Sequence, residues 1–137
     1  HLGINAKTFP GIDEVISAIE GLGINWGIVT NKSKRFAKPL LRKLELLNRT
    51  ACLVCGDTTN NLKPDPEPIN YALSFLKTKN TKKSFYIGDS KKDVDAAKSA
   101  GISSIACTYG YIYDSTNPKD WKADFYVDHA LEILDVI

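Results

Sequence analysis

The chain has 137 residues, 43% of them hydrophobic and 25% charged, the balance of one globular domain with a core of its own. Lys and Arg number 18 against 16 Asp and Glu, a formal net charge of +2, too small to argue for nucleic acid or a membrane surface as partner. No apolar run reaches the ~20 residues of a bilayer span, and His1 to Lys7 has neither the basic nor the apolar region of a signal peptide. The cytoplasm is the expected compartment.

Residues 1–9 show no periodicity and read as a lead-in or linker remnant, ahead of a domain covering 10–137. Phe9-Pro10-Gly11 is turn chemistry. Ile12, Val15, Ile16, Ile19 and Leu22 recur at helical spacing, and Gly21 and Gly23 stop that helix. Ile24 to Thr30 is a short continuous apolar run, the pattern of a fully buried strand. A second helix is predicted from Ser33 to Leu47, with Pro39 a cost in its middle. Ala51 to Cys55 predicts the second strand. Its Cys52 and Cys55 have C-x-x-C spacing, but a redox pair belongs at a helix start, and these thiols lie in a strand, facing opposite sides. Buried structural cysteine is the expectation.

Gly56 to Pro68 is a polar connection rich in Asn, Asp and Pro. A third helix is predicted over Glu67 to Lys77, a polar turn over Asn80 to Lys83 and a third strand over Ser84 to Gly88. Lys91 to Ala100 reads as the fourth helix, stopped by Gly101, and Ile102 to Thr108 as the fourth strand. Tyr109 to Trp121 is a long loop carrying Tyr109, Tyr111, Tyr113 and Trp121, which either lines a site mouth or packs over the sheet end. Ala123 to Val127 and His129 to Ile137 close the chain as a strand and a helix. Strands alternating with helices predict an α/β fold: a Rossmann-like, mostly parallel sheet with helices on both faces.

Three places could carry chemistry. Asp89 ends the third strand and Asp93 follows one helical turn on. Two oxygen ligands with room for water suit Mg²⁺, and the carboxyl ends of strands are where such folds bind ligands. Helix capping is the competing reading of the same two residues. Thr30 and Asn31 end the first strand, where a hydroxyl and fresh backbone N–H groups either cradle phosphate or cap the next helix. Lys63 precedes Pro64 in a proline-rich helix entry and is either a fixed charge for phosphate or a solvated lysine. In an alternating chain all three would meet on one edge of the sheet.

That order resembles the haloacid dehalogenase superfamily of phosphohydrolases. Ile28-Val29-Thr30-Asn31 is similar to its second motif, Lys63-Pro64 to its third, and Gly88-Asp89-Ser90-Lys91-Lys92-Asp93 to its fourth. Within the superfamily, Val29-Thr30-Asn31-Lys32, Lys63-Pro64-Asp65-Pro66 and Thr108-Tyr109-Gly110-Tyr111 look most like the phosphoglycolate phosphatase branch. The resemblance implies a Mg²⁺-dependent hydrolase of a small phosphorylated metabolite such as 2-phosphoglycolate, working through an aspartyl-phosphate. It implies that Thr30 and the Asn31 amide bind the substrate phosphate and that Lys63 bridges phosphate and nucleophile. Asp89 would ligate the metal, and Asp93 would hold it directly or through water.

The chain departs from that pattern at one point. The superfamily's first motif, a strand ending Asp-x-Asp that supplies the nucleophile, has no match. Asp93-Val94-Asp95 has the spacing but no preceding strand. The cap domain that follows the first motif is missing as well. The expectation is a core without its first, central strand, inactive alone. Two strand pairs would then flank a gap, closed by residues 2–8, by a strand from a partner (self-association through the exposed edge included), or by the rest of a longer protein. A non-catalytic remnant that binds phosphate, metal or protein is the alternative function.

Overall fold

The computed structural model describes residues 11–76, 83–108 and 117–137. The lead-in at 1–9, most of the 80–83 turn, and Tyr109, Tyr111 and Tyr113 lie outside the described residues. In chain order come α1 (Ile12–Gly21), β1 (Ile28–Val29), α2 (Lys34–Lys43), β2 (Leu53–Val54), α3 (Glu67–Leu76) and β3 (Phe85–Gly88). Then follow α4 (Lys91–Ala100), β4 (Ser103–Cys107), a 3₁₀ turn (Pro118–Trp121), β5 (Phe125–Val127), a second 3₁₀ turn (Ala130–Glu132) and α5 (Ile133–Val136).

Every predicted helix and strand is present, and the differences lie at the ends. The run Ile24 to Thr30 contributes two ladder residues, because among the described residues β1 pairs with β2 alone. Helix α2 runs through Pro39 but stops at Lys43, short of the expected Leu47. There the Leu46 N–H reaches back to the Leu41 carbonyl at 2.9 Å and the Glu45 N–H to Arg42 at 3.1 Å, with Glu45 at φ 60°. This is a Schellman ending. Helices α1 and α4 end the same way, around Gly23 (φ 74°) and Gly101 (φ 78°). The sequence signals that ending by glycine, and at Glu45 the signal is missing. The last helix is a 3₁₀ turn running into one turn of α-helix, with His129 capping it by accepting the Leu131 N–H at 3.1 Å.

All pairings are parallel, and among the described residues the sheet stands in two pieces. One is β1-β2; the other is β3-β4-β5, not the expected pair, because the last strand adds to β4. Alternation along each strand feeds two cores. Ile28, Ile105 and Cys107 pack with the apolar stripes of α1, α2 and α5. Val29 and Val54 pack with Ile69 and Ala72 of α3 and with Ala96 and Ala97 of α4. Helices thus cover both faces, and the carboxyl ends of β1 and β3 bring Thr30 and Asp89 to one edge. Trp121 is 2% exposed and packs on Val94 and Ala106, so this member of the aromatic loop covers the sheet. No helix among the described residues is long and apolar enough to cross a membrane.

Candidate functional site

Thr30 follows β1, and its backbone N–H bonds to Val54 of β2 at 2.9 Å. The side chain is buried, and its Oγ1 accepts the Lys32 N–H at 3.2 Å. A hydroxyl that accepts still has its proton to donate, so Thr30 can cap the turn and serve an anion. The loop after it is packed tightly. Gly56 lies so close that a Cβ there would stand 2.2 Å from the Asn31 carbonyl oxygen, and Asp57 takes the first N–H of α2, on Lys34, at 2.9 Å.

Asn31 spends its side chain on Lys63. Its Oδ1 accepts the Lys63 N–H at 3.0 Å, and its Nδ2 donates to the Lys63 carbonyl at 3.2 Å. That two-way pairing fixes the lysine backbone ahead of the cis peptide bond to Pro64. Any contact from Asn31 to an anion is left to its backbone N–H.

Lys63 is 2% exposed, which overturns the solvated-lysine reading. Its ammonium donates to Asp93 Oδ1 at 2.6 Å, to the Tyr86 hydroxyl at 2.8 Å and, more weakly, to the Val29 carbonyl at 3.5 Å. An ammonium has three protons, so an incoming phosphate must displace one of these contacts, and the 3.5 Å one is the loosest. Asp93, 1% exposed, accepts on Oδ2 from the Asp89 N–H (3.0 Å), the Ser90 N–H (3.2 Å) and the Ser90 hydroxyl (3.0 Å). It thus caps the start of α4, as the capping reading expects, and carries the lysine's counter-charge at once. The close approach requires glycine at 88: a Cβ there would lie 2.4 Å from Asp93. Asp95 faces away, paired with Lys91 on the exposed side of α4.

Burial first, and the neighbouring Asp93 charge next among carboxylates, raise the Asp89 carboxyl above its ordinary range. Tyr86 is pushed well up by burial and then by Asp93 and Asp89, so its hydroxyl stays protonated. Tyr86 was not among the residues singled out from sequence. The signal was there, since a tyrosine inside a buried strand needs a partner for its hydroxyl. Cys52 and Cys55 are buried, and burial raises both thiols, which agrees with a structural role. Among the described residues no group of three or more His, Cys, Asp or Glu forms a metal cluster. Asp89 and Asp93 are oxygen donors of the kind Mg²⁺ prefers, and that ion needs only one or two carboxylates.

The sequence matches the haloacid dehalogenase-like hydrolases over residues 3–107. It is 40% identical over 137 residues to an N-acetylmuramic acid 6-phosphate phosphatase of Pseudomonas aeruginosa, covering all of this chain and 60% of that protein. It is 36% identical over 134 residues to a phosphoglycolate phosphatase of Xanthomonas campestris pv. campestris, covering 98% of this chain and 60% of that protein. The fold superposes on the crystal structure of a predicted phosphoglycolate phosphatase from Haemophilus somnus 129PT with a TM-score of 0.87 and 28% identity, over 95% of this chain and 57% of that one. The chain therefore spans about 60% of the length of the curated relatives it matches.

Proposed function

This chain belongs to the haloacid dehalogenase-like hydrolases, and from that premise we propose that Thr30, Asn31, Lys63, Asp89 and Asp93 form the phosphate- and metal-binding half of a phosphomonoester hydrolase. The observation that carries the reading is the buried Lys63–Asp93 pair. It brings the lysine of one loop and the carboxylates after β3 to the strand end where Thr30 sits. A bound Mg²⁺ would supply charge neutralisation for phosphoryl transfer. The chain's own residues do the rest. Thr30 and the Asn31 backbone N–H hold the phosphate oxygens, and Lys63 stabilises the charge that develops on transfer. Tyr86 and Asp93 keep the ammonium aimed, and Gly88 lets Asp93 approach.

The proposed substrate is a small phosphorylated metabolite of the 2-phosphoglycolate kind. The 40% relative favours a second reading, N-acetylmuramic acid 6-phosphate. The carboxylate nucleophile of the transfer is not among the site residues. The one Asp-x-Asp in the sequence, Asp93-Val94-Asp95, lies on α4 with its first member committed to Lys63. Calorimetric titration with Mg²⁺ and then inorganic phosphate tests the site. The wild-type chain should bind both; Asp89→Asn should lose Mg²⁺, and Thr30→Ala should weaken phosphate by about tenfold. Absence of both ligands from the wild type would leave a non-catalytic domain.

A further inference from the structure

Helices α1 and α2 cover one face of the sheet and pack into the same core, and their outer sides carry opposite charge. Helix α2 presents Lys34, Lys38 and Arg42 at i, i+4 and i+8, with Arg35 and Lys43 beside that row; all are exposed, and the helix holds no carboxylate. Helix α1 presents Asp13 and Glu20 at i and i+7, with Glu14 beside them; all are exposed, and the helix holds no Lys or Arg. Glu132 and Asp135 extend the negative stripe where the last helical turns pack on α1. The stripes are neighbours. Arg49, in the turn after α2, donates to Ser17 at 3.4 Å and to Glu20 at 2.7 Å on α1. The pattern costs α2 stability. Like charges at i and i+4 repel along a helix, and Lys34 and Arg35 occupy the first turn, where the dipole favours acids. Among the described residues none of the five cations of α2 pairs with a carboxylate. Arg35 lies instead over the exposed Phe36 ring, at 5.2 Å.

We propose that this helical face is an interface between two copies of the chain, related by a two-fold axis that runs between α1 and α2 and sets each α2 against the partner's α1. An axis so placed lays the positive stripe of each copy on the negative stripe of the other, and the contact closes as a dimer. Helix α1 leads into β1 and α2 leaves it, so both helices start at the carboxyl edge of the sheet. The first turn of each α1 then meets the first turn of the other α2. Charge complementarity also selects the occupant. A bilayer or a nucleic acid laid on α2 would cover α1 as well, and its phosphates would meet Asp13, Glu14 and Glu20. A second copy meets each stripe with the opposite sign. Helices of ten residues are about 15 Å long, and two side by side offer roughly 300 Å² per copy, against ~800 Å² per partner in a stable complex. The dimer is therefore weak and sensitive to salt. It involves neither the phosphate chemistry nor the sheet.

Sedimentation velocity of the chain, from micromolar to millimolar concentration, tests this. The expected result is a dimer whose association constant falls at least about tenfold between about 0.1 M and about 1 M salt, as the Debye length drops from about 10 Å to about 3 Å. Arg35→Glu with Lys38→Glu reverses the start of α2, and Asp13→Lys with Glu14→Lys reverses the start of α1. All four positions are exposed, and circular dichroism checks that both variants fold. Each alone should stay monomeric. Their equimolar mixture should dimerise as strongly as wild type, because the two reversed stripes match again. Lys92→Glu with Lys98→Glu, exposed on α4 of the opposite face, changes the net charge as the α2 variant does and should leave the dimer intact. A monomeric wild type at low salt, association that resists salt, a dimer of either reversed variant alone, or a mixture that stays monomeric overturns the proposal. So does a mixture that dimerises equally when the α4 variant replaces the α2 one, since the attraction is then one of net charge.

Discussion

Lys63 and Asp93 form a buried ion pair at 2.6 Å, each side chain almost wholly out of water. Removing one partner of such a pair strands the other charge. Lys63→Met is expected to cost about 3 kcal/mol in urea unfolding, and Lys63→Met with Asp93→Asn less than the sum of the two single changes. A cost for Lys63→Met under about 1 kcal/mol would show an exposed, weak pair. Asp89 behaves in the opposite sense. Burial raises its carboxyl, so the folded state favours the neutral form. Its contribution to stability is full below the unfolded value and is lost as pH rises through the raised folded value. Without divalent metal, Asp89→Asn should therefore melt higher than wild type at pH 7, and the advantage should vanish below about pH 4. At this scale the sequence showed which residues meet and not how. Spacing pointed to Thr30, Lys63, Asp89 and Asp93. The bonds that join Lys63, Asp89 and Asp93 depend on which lone pair faces which proton, and Tyr86 entered through a contact 23 residues from Lys63.

Helix endings test the elements. Gly101 and Glu45 hold the same left-handed position in two Schellman endings, one with the residue that suits it and one without. A Cβ at Gly101 meets nothing within 4 Å, so Gly101→Ala should cost about 1 kcal/mol through backbone strain alone. Glu45→Gly should gain up to about 1 kcal/mol. Thermal unfolding of the two variants should shift in opposite directions; shifts of the same sign would place the cost elsewhere. The pair also shows why helices were legible and one boundary was not. Helix α4 ends at Gly101 in the sequence and in the structure alike, whereas Leu44, Leu46 and Leu47 carry apolar residues past Lys43 through a turn that no glycine announced. Leu46 returns to the core by way of the turn, so burial continues where the helix does not.

For the whole molecule, the α/β order and the parallel pairing followed from the alternation of buried runs and amphipathic stretches. The two-piece sheet of the described residues was expected from the missing first motif, but the third strand of the second piece was not, because Ala123 to Val127 carries no mark of its neighbour. A chain of this extent, offered phosphoglycolate or N-acetylmuramic acid 6-phosphate with Mg²⁺, is expected to turn over more than about 10³-fold more slowly than the Pseudomonas aeruginosa relative. A comparable rate would mean that a nucleophile lies within these residues. The placement of Lys63 has one more consequence. Its ammonium touches Val29 of β1, Tyr86 of β3 and Asp93 of α4, so one side chain braces the two pieces of sheet against each other. In a library of random variants screened for folding alone, with no phosphate ester ever offered, Lys63, Tyr86 and Asp93 should still survive. A lineage that lost its chemistry would go on looking like an enzyme at these positions.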